Sequence, residues 1–334
     1  MSNTPPVTVI MPILNEEAHL VDSVNRILAQ EYGGELDVVL AVGPSKDRTR
    51  EVAEELQRTN DRVTVVDNPT GRTPAGLNAA IAVATGEVIV RVDGHAMIPS
   101  DYVAVAVETL ERTGADNVGG IMAAEGVTDF GVAVARAMTS KFGVGGASFH
   151  VGGSEGPALT VYLGTFRRSA LERVGGYDET MVRAQDWEMN LRIRETGGLI
   201  WFTPAMLVTY RPRATVGALA RQYHDYGRWR REVVRRHPDT LSLRYLAAPV
   251  AVAAIIVGLL LALLGIVMGQ SWLTILGLIP PVGYVLANLL ASLLSAVSAP
   301  RLRLRSTLWL PIVYGTMHLT WGAGFLRGGA GRES

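Results

Sequence analysis

From Tyr245 to Pro300 the chain carries no Asp, Glu, Lys or Arg. About 20 consecutive apolar residues suffice to cross a bilayer as a helix, so this stretch has room for two spans. The boundaries fall at about Ala247–Met268 and Leu273–Val297, on either side of the short polar break "GQSW". A third apolar run follows from about Ser306 to Leu326. The competing explanation, a buried helical hairpin of a soluble protein, would have to enclose three such runs in succession. Pro280-Pro281 lies inside the second run and predicts a kink or a break, because proline removes a helical hydrogen bond.

Charge is distributed to match. The whole chain is neutral, with 31 Lys and Arg against 31 Asp and Glu, but residues 1–210 are acidic and residues 211–334 basic. Arg228, Arg230, Arg231, Arg235, Arg236 and Arg244 precede the first span, and Arg301, Arg303 and Arg305 follow the second. The loop between the spans is uncharged. Positive charge stays on the cytoplasmic side, so the large N-terminal part is expected in the cytoplasm and, with three spans, the C-terminus outside. Arg327 and Arg332 on the tail fit that placement less well. The N-terminus shows no signal-peptide pattern. With no cysteine, disulfides, thiolate metal sites and thiol catalysis are excluded. The resulting division is a catalytic part over 1–210, a basic amphipathic interfacial segment over 211–244, a membrane region over 245–327 and a tail over 328–334.

The first 95 residues alternate strand and helix. Strands are predicted over Val7–Ile13, Asp37–Val42, Val63–Asp67 and Val88–Val92, with helices over Glu16–Gln30, Asp47–Arg58 and Ala75–Ala84 between them. Four such repeats argue for an α/β, doubly wound, mostly parallel sheet. Their carboxyl ends bear Asn15-Glu16, Ser45-Lys46-Asp47, Asp67-Asn68 and Asp93-Gly94-His95, the polar rim a nucleotide-binding crevice requires. No Gly-x-Gly-x-x-Gly or Gly-Lys-Ser/Thr loop follows any strand, which disfavours dinucleotide enzymes and phosphate-loop NTPases. Asp93 and His95 are both ligand types for a divalent metal, but Asp-Gly is also a common turn pair, and the local sequence leaves the two open.

Several motifs in register resemble glycosyltransferase family 2, whose members have the GT-A fold. "MPILNEE" is similar to that family's opening strand and nucleotide-contacting turn, and "GPSKDRT" occupies the place of its second-strand loop. "GRTPAGLNAAIAVATGEVIVRVDGH" looks like its Lys/Arg–Asn helix leading into a metal-binding strand. The resemblance implies a nucleotide-sugar site of Pro12, Asn15, Glu16, Ser45, Arg72, Asn78 and Asp93, with Mn²⁺ or Mg²⁺ on Asp93 and His95. The metal motif is Asp-x-His rather than Asp-x-Asp, and Val42 and Gly43 stand where members place a base-contacting Asp.

Further along, "VRAQDWEMNLRIRETGG" (Val182–Gly198) predicts a helix with Met189, Ile193 and Leu191 on its buried side. Asp186 near its start could be a carboxylate favoured by the helix dipole and nothing more. The resemblance implies instead the general base of an inverting transfer, flanked by Gln185. "RQYHDYGRWRREVVRRHP" (Arg221–Pro238) suits a helix in the headgroup plane, with a solvated basic linker as the alternative. Gln222, Arg228 and Trp229 resemble, at wider spacing, the acceptor-holding motif of processive members. The Gly-rich stretch Ser140–Pro157 could fold over the site or stay a surface loop.

"FGVGG", "RAQDWE" and "QYHDYGRWR" are most similar to the membrane-bound, succinoglycan-type glucosyltransferases. The implied activity is inverting transfer from a nucleoside diphosphate sugar, a UDP-sugar, to a polyprenyl-diphosphate-linked glycan at the inner membrane, with no nucleic acid partner. The competing functions are a polyprenyl-phosphate sugar synthase and a non-catalytic sensor or scaffold.

Overall fold

The computed structural model describes residues 4–94, 96–298 and 302–329. The chain divides into two units. The first comprises Met1–Ala123 and Ala147–Tyr210; the second comprises Ala124–Gly146 and Arg211–Ser334.

In the first unit, apolar runs become strands and each is followed by an amphipathic helix that covers the sheet. The order is β1 (Val7–Ile13), α1 (Leu20–Leu28), β2 (Leu36–Val42), α2 (Thr49–Thr59), β3 (Val63–Asp67), α3 (Thr73–Val83), β4 (Val88–Arg91), α4 (Tyr102–Thr113) and β5 (Asn117–Ala124). Strands β1, β2, β3 and β4 pair in parallel, with β1 between β2 and β4. Strands β1, β2 and β4 are buried on both faces, so their sequences are continuously rather than alternately apolar, whereas β3 at the sheet edge is partly exposed. Val9, Met11, Leu40 and Val90 lie in the core on one side of the sheet, and Ile10, Val39 and Ile89 on the other.

The second unit contributes α5 (Asp129–Met138) and α6 (Lys141–Val144) before the chain returns to the first. There follow α7 (Ser148–Val151), β6 (Gly156–Pro157), β7 (Tyr162–Arg167), α8 (Arg168–Val174), α9 (Gln185–Glu195) and β8 (Ile200–Tyr210). The complete sheet runs β3-β2-β1-β4-β7-β5-β8-β6. Beyond β4 antiparallel pairing enters: β7 lies antiparallel to both β4 and β5, and β6 antiparallel to β8. The parallel half thus presents four carboxyl ends along one edge of the sheet.

The Gly-rich stretch Ser140–Pro157 is neither a plain loop nor one element. It forms the single turns α6 and α7, separated and followed by glycines at positive φ: Gly145, Gly152 and Gly153.

The rest of the second unit is α10 (Val216–Arg236), α11 (Leu243–Val267), α12 (Ser271–Val297) and α13 (Leu304–Arg327). Among the described residues, two helices are long and apolar enough to cross a membrane, α11 and α12. Their seam is made of small residues. A β-carbon on Gly277 would lie 2.3 Å from the Ala262 nitrogen, and one on Gly258 would lie 2.5 Å from the Gly277 oxygen. Such close backbone approach is how helices associate in lipid, where burial of apolar surface gives no advantage. Pro280 and Pro281 do not break α12, which stays one helix across them. The helix absorbs the lost hydrogen bonds where α11 packs against it, Pro280 lying beside Gly258.

Among the described residues, the expected third span is not one of the helices apolar enough to cross a membrane. The run Ser306–Leu326 is helical, as α13, but its Leu310, Val313, Tyr314, Met317 and Phe325 are buried by protein. Its first half meets α5: Ser306 Oγ donates to Asp129 Oδ1 at 3.0 Å, and Phe130 stands edge-on to Trp309. Its second half meets α10, where a β-carbon on Gly227 would lie 2.0 Å from the Trp321 oxygen. Asn288 of α12 donates to the Pro311 oxygen at 2.9 Å, and Ser295 pairs with the Tyr314 hydroxyl. On the opposite face Leu304, Leu308, Ile312, Leu319 and Leu326 are exposed at helical spacing. One apolar stripe packs on protein and the other faces out.

Candidate active site

The carboxyl ends of β1 and β2 are stapled together by the residues that follow them. Asn15 sits at φ 57, a left-handed conformation asparagine tolerates better than most residues. Its backbone N–H donates to Ser45 Oγ at 3.0 Å, and its Oδ1 accepts from the Lys46 N–H at 2.8 Å. The Glu16 N–H donates to Thr49 Oγ1 at 2.7 Å. Asn15, Glu16 and Ser45 therefore form one structure, with Pro12 on β1 behind them. Arg72 is exposed at the start of α3, and the turn before it is built on buried Asn68, whose Nδ2 donates to the Arg72 oxygen.

Asn78, expected at the nucleotide, is committed elsewhere. Its Nδ2 donates to the Tyr177 oxygen at 2.9 Å and its Oδ1 accepts from the Tyr177 N–H at 2.8 Å. The amide thus clamps the Gly175-Gly176-Tyr177 turn to α3, and the side chain is half-buried there.

At the end of β4 the loop turns sharply. Ser23 Oγ of α1 donates to the Gly94 oxygen at 2.8 Å. A β-carbon on Gly94 would fall 2.9 Å from Glu16 Cγ and 3.1 Å from Ile13 Cγ2, so any larger residue would push the Glu16 side chain aside where the Asp93 turn lies against β1. His95 lies outside the described residues. Among those described, no three Asp, Glu or His side chains converge to hold a metal by themselves. Asp93 keeps 27% of its side-chain exposure. One accessible carboxylate suits Mg²⁺ or Mn²⁺ when most ligands come from a diphosphate and water, and in that manner the residues present fit a divalent ion.

The strand's last residue, Arg91, organises the site. Its side chain is 4% exposed and lies between two acids. Nε and Nη2 each reach Asp93 Oδ1 at 3.1 Å, and Nη1 donates to Asp186 Oδ1. Burial alone would lower Arg91, but Asp186 and Asp93 outweigh it and hold the guanidinium charged. Burial pushes the Asp186 carboxyl above its ordinary value, with Arg91 opposing and Asp93 assisting. A raised carboxylate is a better proton acceptor than an exposed one. Tyr102, Tyr162 and Tyr177 feel the same charges, and burial raises all three phenols.

Asp186 is aimed by backbone strain. Ala184, immediately before α9, has φ 60, unfavourable for a residue with a β-carbon. The kink starts α9 so that Asp186 occupies its first turn, with Gln185 half-buried beside it. Behind them the helix is buried almost all round: Met189, Leu191 and Ile193 as expected, and also Glu188 and Asn190. Those two polar side chains are paired, Glu188 with Arg192 and Asn190 with both Asn117 and Thr160.

A family model described as "Glycosyl transferase family 2" matches residues 8–175. A succinoglycan biosynthesis protein, ExoA of Rhizobium meliloti (strain 1021), is 33% identical over 333 residues, covering 96% of this chain and 93% of the relative. The chain belongs to glycosyl transferase family 2. Within that family it is of the succinoglycan type, and it is a glycosyltransferase. A second relative is 23% identical over 69% of this chain and 74% of its own length. It is the dolichyl N-acetyl-alpha-D-glucosaminyl phosphate 3-beta-D-2,3-diacetamido-2,3-dideoxy-beta-D-glucuronosyltransferase of Methanococcus voltae. Among solved structures, the mannosyltransferase PcManGT of Pyrobaculum calidifontis, in complex with GDP-Man and Mn²⁺, shares the fold. Its TM-score is 0.60 at 21% identity, over 97% of this chain and 88% of that one.

Gln222, Arg228 and Trp229 lie on α10 in the second unit. Gln222 is buried and its Nε2 donates to the Tyr226 hydroxyl at 2.9 Å. Arg228 Nη2 donates to the Gly329 oxygen at 3.1 Å, and Arg231 Nη1 to the oxygens of Phe325 and Leu326. Both arginines therefore sit at the C-terminal end of α13, where its free carbonyls and dipole favour cations. What the sequence did not disclose is Arg91. The available signal was a single cation closing an otherwise apolar strand, "VIVR".

Proposed function

We propose that this family 2 enzyme transfers a sugar, with inversion, from a nucleoside diphosphate sugar to a polyprenyl-diphosphate-linked glycan on the cytoplasmic membrane face. The observation that carries the proposal is the pair Asp93 and Asp186, drawn from elements far apart in sequence and joined on one buried guanidinium. Asp186 accepts the proton of the acceptor hydroxyl as its oxygen attacks the anomeric carbon, and the bond from that carbon to the diphosphate breaks. Asp93, with His95 as its expected companion, would hold Mn²⁺ or Mg²⁺; the ion supplies charge neutralisation for the departing nucleoside diphosphate. Asn15, Glu16, Ser45 and Arg72 hold the donor along the ends of β1 and β2 and the start of α3. The Mn²⁺ of the Pyrobaculum complex supports the metal, and the dolichyl phosphate sugar in the name of the Methanococcus relative supports a lipid-linked acceptor.

Spans α11 and α12 make the protein multi-pass. Two crossings return the chain to the side from which it started, so α13 and the C-terminus face the cytoplasm with the catalytic unit. This two-span reading, in place of an outward C-terminus after three spans, fits Arg327 and Arg332 on the tail better.

The test is nucleotide release with UDP-, GDP- and dTDP-sugars, each offered polyprenyl phosphate and lipid-linked sugars as acceptors, with the anomeric configuration of the product read by NMR. An inverted product on the lipid-linked sugar from a UDP donor, abolished by EDTA and restored by Mn²⁺, is expected. Transfer to bare polyprenyl phosphate would make it a synthase of lipid-phosphate sugars. No release from any of these donors would overturn the donor and acceptor assignment.

A further inference from the structure

Asp93 and Asp186 must stand near one another and near an anionic diphosphate, although like charges at short range repel. Arg91 resolves this. It is the terminal residue of β4, its backbone is fixed by pairing, and its side chain is almost wholly buried. Its guanidinium offers two edges: Nε and Nη2 grip Oδ1 of Asp93, and Nη1 grips Oδ1 of Asp186. A planar fork fixes the direction of each carboxylate as well as its charge, which a single ammonium cannot do. Each acid keeps its second oxygen, one for a cation and one for a proton. Asp93 comes from a strand end and Asp186 from the first turn of α9, so without the fork their relative position depends on two separate backbones.

We propose that Arg91 is the positioning residue of the reaction, setting Asp186 against the donor through Asp93 while never itself touching substrate. The inference rests on Asp186 being the base. It also implies that Arg91 competes with a metal ion for Asp93, so that the guanidinium weakens cation binding in exchange for alignment.

The test compares Arg91→Met, Arg91→Lys, Asp186→Asn and the doubles with Asp186→Asn, in the full-length protein, against wild type. Mn²⁺ binding alone is read by EPR of the free ion, and sugar transfer by nucleotide release. Arg91→Met is expected to bind Mn²⁺ several-fold more tightly, since Asp93 has lost a competing cation, yet to transfer at least about 10²-fold more slowly. A collapsed site would lose both. Arg91→Lys keeps the charge and is expected to stay at least about tenfold slow; should the Met variant not fold, it carries the test. Because Arg91 acts through Asp186, each double variant should be no slower than Asp186→Asn alone, whereas independent roles would multiply. Wild-type transfer by Arg91→Lys, or multiplying losses, overturns the role of Arg91 while leaving an inactive Asp186→Asn intact. Full activity in Asp186→Asn overturns the base assignment beneath it.

Discussion

Gly324 of α13 lies directly on the backbone of His224 in α10: a β-carbon at Gly324 would stand 2.0 Å from the His224 oxygen. Gly227 makes the reciprocal approach to the Trp321 oxygen, also at 2.0 Å. The two helices touch along backbone, and no side chain can be inserted without parting them.

Gly324→Leu should therefore destabilise the second unit by at least about 1–3 kcal/mol, the usual cost of overpacking a tight contact. Thermal unfolding in detergent reads this directly. Gly283→Leu, on α12 where the added β-carbon meets nothing within 4 Å, serves as the control and should leave the melting temperature near wild type.

The two-span arrangement is open to cysteine labelling, because the natural chain has no cysteine. Gln270→Cys, between α11 and α12, should react with a membrane-impermeant maleimide added outside spheroplasts. Arg327→Cys, at the end of α13, should react only after the membrane is opened. Outside labelling of Arg327→Cys would restore the third span.

Glu232 on α10 gives a pH dependence. The Arg235 guanidinium, opposed by burial and reinforced by Arg236, holds its carboxyl down at about 2 from an ordinary 4.5. The folded value lies below the unfolded one, so the stabilisation is fully present above about pH 4.5 and is lost as pH falls toward 2. Arg235 is 70% exposed, and solvent screening limits the effect to about 0.2–1 kcal/mol. Glu232→Gln should melt lower than wild type at pH 7, and the difference should close as the pH approaches 2.

The parallel half of the sheet was legible because β1, β2 and β4, buried on both faces, leave apolar runs, and each run here ends on polar residues. The role given to Asp186 came from the family resemblance and not from its place at a helix start; the helix that carries it was legible, as were Met189 and Ile193 through helical spacing. Arg91 was not, since a cation at the end of a strand ordinarily marks the return to solvent, and only the fold shows two acids waiting for it. The partners of Asn78 were not legible either: a polar residue on a helix near the site faces a backbone turn that sequence does not place. At α13 the membrane count stayed open, because composition records that a stripe is apolar but not whether protein or lipid covers it. Leu310 and Leu308 read alike in sequence, yet one is fully buried and the other 67% exposed.

The central claim is that Asp186 takes the acceptor's proton, and Asp186→Asn tests it most directly. The amide keeps the shape of the side chain and can still accept a hydrogen bond from Arg91, but it cannot accept a proton. Donor affinity in Mn²⁺, melting temperature and transfer rate should be measured on the same preparation. The account predicts near-normal donor binding and stability with transfer slowed by about 10²–10⁴-fold, the worth of a positioned base. Transfer at the wild-type rate, with a stability loss of about 0.3–1 kcal/mol, would contradict it and leave Asp186 a helix-start carboxylate favoured by the dipole.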